Sequence, residues 1–151
     1  MAEWTPNLVE ARLAEAAWVL GRLPEPQRQG YFNVWPEMIH SFADKVGQEP
    51  KPMRVLPSPP AISRMEETLT WTTNLEPIDG KIVWLRAHGA RWKSVCHAVG
   101  LQRSAAHQHW LYALCVIALR LNRRSVPKLR SRRHIVEMVR GVDKRLQWES
   151  E

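Results

Sequence analysis

The residues of this 151-residue chain with the widest chemical repertoire are six histidines and two cysteines. A metal or a nucleophile is the first chemistry to look for among them, and their spacing argues against both. Cys96 and His97 are adjacent and His107 and His109 lie two apart. On a helix such neighbours point to different sides, and no CxxC or HxxxH pair occurs. No serine sits in a glycine elbow, Cys96 reads as an inward helix position, and GxxxxGK[ST] is absent. No metal, cofactor or catalytic residue is expected, and the chain does not read as an enzyme.

Recognition chemistry is better represented. In WKSVCHAVGLQRSAAHQHW, residues 92 to 110, a lone glycine separates two apolar-patterned stretches. A helix-turn-helix needs a short first helix, a left-handed turn that glycine makes cheaply, and a second helix set steeply against the first. Val95 and Cys96 take the inward positions before Gly100, and Val99 and Leu101 flank the turn. Ser104 is placed to cap the second helix, and Ala106, Trp110, Ala113, Ile117 and Leu121 continue its buried stripe. That leaves Gln102, Arg103, Ser104, Ala105, His107 and Gln108 facing out at its start, and all of these but Ala105 are candidate base contacts. In this motif the first turns of the second helix meet base edges in the major groove, where Arg pairs with guanine and Gln with adenine. Arg91 and Lys93 would hold flanking phosphates.

The elements that must position these residues are all helical. Thr5-Pro6 reads as a cap followed by proline at the first helical position. Val9, Leu13, Ala16, Ala17 and Leu20 repeat behind it, and Gly21 to Pro24 stops the helix. Trp35-Pro36-Glu37 begins a shorter helix with Met38, Ile39 and Phe42 inward. Residues 47 to 60 hold five of the eleven prolines and read as a connector. Ser58-Pro59 opens a helix striped by Ile62, Met65, Leu69 and Thr72. Pro77 opens another with Ile78, Ile82 and Leu85 inward and Gly89 at its end. Residues 93 to 99 and 104 to 122 are the two helices of the motif. Ile135, Met138, Val139, Val142 and Leu146 mark a last helix after Pro127. No strand alternation or repeat appears. The expected fold is all-α: a helical segment 1–46, a proline-rich connector 47–57, a helix-turn-helix core 58–124 and a basic C-terminal helix 125–151.

Charge supports a polyanionic partner. The chain carries +7, and between Arg120 and Arg145 ten basic residues face only Glu137 and Asp143, while the remainder is close to neutral. Such a segment gains free energy on a nucleic acid by releasing condensed counterions, although a solvated helix face is the ordinary alternative. Arg123, Arg124, Lys128, Arg130, Arg132 and Arg133 are the expected DNA-backbone contacts. Free cysteines, no signal-peptide pattern and no apolar run of membrane-spanning length lead to the expectation of a bacterial cytoplasmic, nucleoid-associated protein with no membrane partner.

Residues 75 to 122 resemble region 4 of bacterial sigma factors and the related helix-turn-helix regulators of phage late genes. The resemblance is carried by Val83 to Arg86 at the apolar "vxxLR" centre, Gly100 at the turn, Ser104 leading the second helix and Ala113-Leu114 nine residues on. Cys96-His97-Ala98 departs from the usual acidic "EIA" triplet, and Ala106 is smaller than the usual Val or Ile. PSPPAISRMEE, WK, GLQRSAAHQHW and ALCVIALRLN are in addition similar to an uncharacterised family of alphaproteobacteria and their phages. The resemblance implies a trihelical DNA-binding core and a phage-type transcription regulator acting on double-stranded DNA. Two alternatives stand beside it. One is a small-terminase-like packaging factor working as a homo-oligomeric ring. The other is an antiterminator that docks RNA polymerase through Trp4, Trp18 and Trp35. Eight tryptophans are otherwise mostly core, with Trp18 and Trp148 at the margins of their helices' apolar stripes.

Overall fold

The computed structural model describes residues 3–24 and 55–148, with side chains to residue 141. Among these residues the chain is all-helical, with six helices and no strand. They are α1 Pro6–Leu20, α2 Pro59–Thr72, α3 Pro77–Ala87, α4 Trp92–Val99, α5 Arg103–Leu121 and α6 Arg132–Trp148. The expected helix at Trp35-Pro36-Glu37, most of the connector and the Trp148 side chain lie outside the described residues and side chains.

Proline sets three of the helix starts. Pro6, Pro59 and Pro77 each occupy the first turn, where a missing N–H costs nothing and the fixed φ is already helical. Thr5 Oγ1 accepts from Leu8 N at 3.3 Å to cap α1. At α6 Ser131 Oγ accepts from His134 N at 3.3 Å. Gly89 at φ 80° follows α3, and Gly100 at φ 70° ends α4 with its N–H donated to Cys96 O at 2.9 Å. Both are the left-handed conformation that lets a chain leave a helix sharply. The expected glycine reversal is therefore present at Gly100.

Three apolar clusters hold the helices. Ile82, Val95 and Ala106 are buried at the junction of α3, α4 and α5, with Leu85, Trp92, Val99, Leu101 and Trp110 packed around them. This is the trihelical unit. Burying three such residues and their partners is what fixes α5 against α4, and truncating Ile82 to Ala would cost about 2–5 kcal/mol. A second cluster joins Val9 and Leu13 of α1 to Val83, Ala113, Leu114 and Ile117. A third joins Ala16 and Val19 to Ala61 and Met65 of α2.

These last two clusters build the inner face of helix α1 into the same core as residues 58–124. Its stripe could not reveal which helix would cover it. The N-terminal segment is also tied directly to the end of α5: Trp4 N donates to Asn122 Oδ1 and Asn122 Nδ2 donates to Trp4 O, each at 2.8 Å. Trp4 itself packs edge-on against Trp71 at 5.1 Å, so it is a core residue and not a free docking surface. Trp18 is about half exposed, with the Arg22 guanidinium 3.8 Å above its ring.

Two smaller expectations are also revised. Ile78 is exposed and Asp79 is buried in its place. The face of α3 is turned by the pairing of Asp79 with a histidine of α5, a partner thirty residues away. Helix α5 begins at Arg103 with Gln102 at its N-cap, so Ser104 lies inside the first turn and does not cap it.

Candidate nucleic-acid interface

Helix α5, the third of the trihelical unit, presents two unlike faces. Ala106 is wholly buried and Trp110 half-buried against α3 and α4, whereas Gln102, Arg103, Ser104, His107 and Gln108 are all exposed. The small Ala106 fits because large rings fill the space around it. Trp92 meets Trp110 edge-on at 5.7 Å, and Arg86 lies over Trp92 at 4.7 Å. Arg86 Nη1 also donates to Ala90 O at 2.7 Å, bracing the α3–α4 turn, and Lys81 Nζ donates to Ala98 O at 2.9 Å near the α4–α5 turn. The reversal that carries the first turn of α5 outward is thus held from both sides.

His107 is the least free of the exposed five. Its ring lies 5.4 Å from Trp92 and 5.6 Å from Trp110. Partial burial, followed by the charges of Arg140, Arg103 and Arg86, holds its pKa below the ordinary imidazole range. It is therefore a neutral ring near pH 7, able to donate and accept one hydrogen bond each.

Among the described residues the backbone-contact cations divide into those with and those without an ion-pair partner. Arg91 and Lys93 are exposed beside the start of α4, and Lys128 and Arg130 are exposed in the segment before α6. Arg123 is exposed too and adopts φ 57°, the left-handed residue that ends α5. Arg124 forms an ion pair with Glu3 at 2.8 Å, and Arg133 pairs with Glu137 at 3.1 Å along α6.

Arg132 is engaged on several sides. Its Nη2 donates to Glu76 Oε2 at 2.9 Å, its guanidinium lies over Tyr112 at 4.9 Å, and Nη1 stands 3.7 Å from Asp79 Oδ1. His109 Nδ1 is 2.6 Å from the same Asp79 oxygen. The nitrogen that gives its proton to Asp79 cannot also accept from Arg132. The 2.6 Å approach of Arg132 Nη1 to that nitrogen therefore works through the carboxylate charge and not as a bond to the ring. Glu76, Asp79, His109, Tyr112 and Arg132 join the start of α3, the middle of α5 and the start of α6. Arg132, partly exposed, thus bridges α3, α5 and α6.

No trace of this bridge was visible in the sequence. Asp79 in the first turn of a helix already has a local reason to be there, the helix dipole, and its true partners are remote. Arg140 lies eight residues along α6, with no spacing relation to α5. It shares a groove with His107 and Gln108.

Residues 21–117 match a family described as a domain of unknown function, DUF6362. The chain belongs to that family. No curated protein and no solved structure matches it. The matched span begins at the end of α1 and takes in α2, α3, α4 and most of α5, including the trihelical unit and all five outward residues of α5. Among the described residues no helix is long and apolar enough to cross a membrane, and no group of His, Cys, Asp and Glu is arranged to hold a metal ion.

Proposed function

We propose that this DUF6362 protein binds double-stranded DNA in a sequence-specific manner as a phage-type transcription regulator, entering the major groove with the first turns of α5. The observation that supports this reading is the clean division of that helix. Ala106 and Trp110 anchor one face, while Gln102, Arg103, Ser104, His107 and Gln108 stand exposed on the other, with the exposed Arg91 and Lys93 beside them. Long donors on a rigid, outward helix start match the hydrogen-bond edges of base pairs, and flanking cations match phosphates.

The test begins with selection of a preferred duplex from a randomised pool, followed by anisotropy titrations of that duplex and a scrambled one at two salt concentrations. Arg103→Ala should erase about 1–3 kcal/mol of the preference between them. Lys93→Ala should weaken both duplexes alike and reduce the salt slope by about one. A pool that yields no duplex bound more tightly than its scrambled counterpart would remove the reading. RNA polymerase remains a partner to test through the exposed Trp18–Arg22 pair of α1, by pull-down without DNA.

A further inference from the structure

A groove of about 450 Å³ runs between the start of α5 and the flank of α6. Its walls include His107 and Gln108 on one side and Arg133, Val136, Glu137 and Arg140 on the other. It continues toward α1 as a wider cleft of about 780 Å³ that shares His107, Glu137 and Arg140 and reaches Glu10. Arg103, one turn before His107, adds a cation on the same face, and Arg86 approaches from α3 over the Trp92 and Trp110 rings that touch His107.

The charges facing His107 are therefore Arg86 from α3, Arg103 from its own helix, Arg132, Arg133 and Arg140 from α6, and the carboxylates of Glu137 and Glu10. Glu137 is neutralised by Arg133. What remains is a cationic concavity whose central imidazole is surrounded mainly by positive charge. An anion entering it would cancel the repulsion that adds to burial in keeping the ring neutral.

We infer that this groove takes a phosphate of the DNA backbone, held by a protonated His107 together with Arg103 and Arg140. The inference rests on the DNA-binding reading above and adds the partner group and its coupling to protons. When the phosphate seats, His107 takes one proton from solvent and its ring becomes a two-fold donor. The free protein resists that proton first because the ring is partly buried and then because Arg140, Arg103 and Arg86 repel it. Binding must then tighten as pH falls through the interval between the free and bound midpoints, by up to about tenfold per pH unit for one coupled proton.

NMR titration of the His107 imidazole, with and without a short mixed-sequence duplex at low salt, tests this directly. The duplex should raise the midpoint by about 1 to 3 pH units. Arg140→Gln should raise the midpoint of the free protein and weaken duplex binding. His107→Gln, a change at an exposed position, should leave affinity independent of pH between about 6 and 8. A duplex that binds while the His107 midpoint stays in place overturns the inference and leaves the DNA reading standing. Failure of every duplex to bind overturns both. An upward movement produced by inorganic phosphate and not by duplex also overturns it, in favour of a free-anion site.

Discussion

Asp79 Oδ1 lies 2.6 Å from Nδ1 of His109, joining the first turn of α3 to the middle of α5 at a point where the carboxylate is almost fully enclosed. A hydrogen-bonded buried carboxylate is worth little more than its solvated form while paired, but it is costly once its partner is gone. Among the described residues, removing His109 leaves Asp79 with the more distant Arg132. His109→Ala should therefore destabilise the fold by roughly 1–3 kcal/mol in urea denaturation. Asp79→Ala combined with it should cost less than the two singles added together. Strict additivity would show that the pair does not act as a unit.

Arg132 should separate from the other arginines of its segment. Arg132→Ala breaks contacts with Glu76 and Tyr112 and loosens the start of α6, so a lower denaturation midpoint is expected. Lys128→Ala, at an exposed position with no partner among the described residues, should leave the midpoint unchanged within about 0.5 kcal/mol. Equal stability of the two variants would mean that the bridge carries no net energy.

Two glycines are expected to respond with opposite sign. Gly100 has open space where a Cβ would stand but sits at φ 70°, so Gly100→Ala should cost about 1–2 kcal/mol through backbone strain alone. Gly80, inside α3 and equally uncrowded, has ordinary helical geometry, and Gly80→Ala should stabilise by about 0.5–1 kcal/mol. Thermal melts of both variants decide the matter. A neutral Gly100→Ala would show that the turn relaxes.

Ala106 is fully buried where α5 crosses α4. Ala106→Ile inserts three carbons between Val95 and the Trp92–Trp110 pair and should cost about 1–3 kcal/mol by overpacking. A stabilised variant would reveal an unfilled space there.

The Arg64 side chain donates to Glu15 Oε1 through Nη2 at 2.6 Å, linking α2 to α1. That hydrogen bond holds the Glu15 carboxyl below the usual carboxylate range. A group with a lowered folded-state pKa contributes its stability above its unfolded value and loses it as pH falls through the lowered one. Wild type should lose this contribution on acidification, and Arg64→Ala should show a shallower acid limb. Because both side chains are partly exposed, the effect should be small and should fade in high salt.

Local rules made much of this protein legible without coordinates. Proline at first turns, glycine at left-handed ends and apolar residues every three or four places depend only on a residue and its near neighbours. They located the starts of α1 through α5 to within a residue or so, the reversal at Gly100, and the outward set Gln102, Arg103, Ser104, His107 and Gln108, while the start of α6 falls several residues later than expected, at Arg132. What tertiary structure decided was pairing between distant helices. Val9 and Leu13 of α1 enter the core of residues 58–124, Asp79 displaces Ile78 from the interior, and Arg132 bridges α3, α5 and α6 while Arg140 comes to face His107. Periodicity tells which side of a helix is apolar. It carries no information about which other helix covers that side, and a charge thirty residues distant obeys no spacing rule.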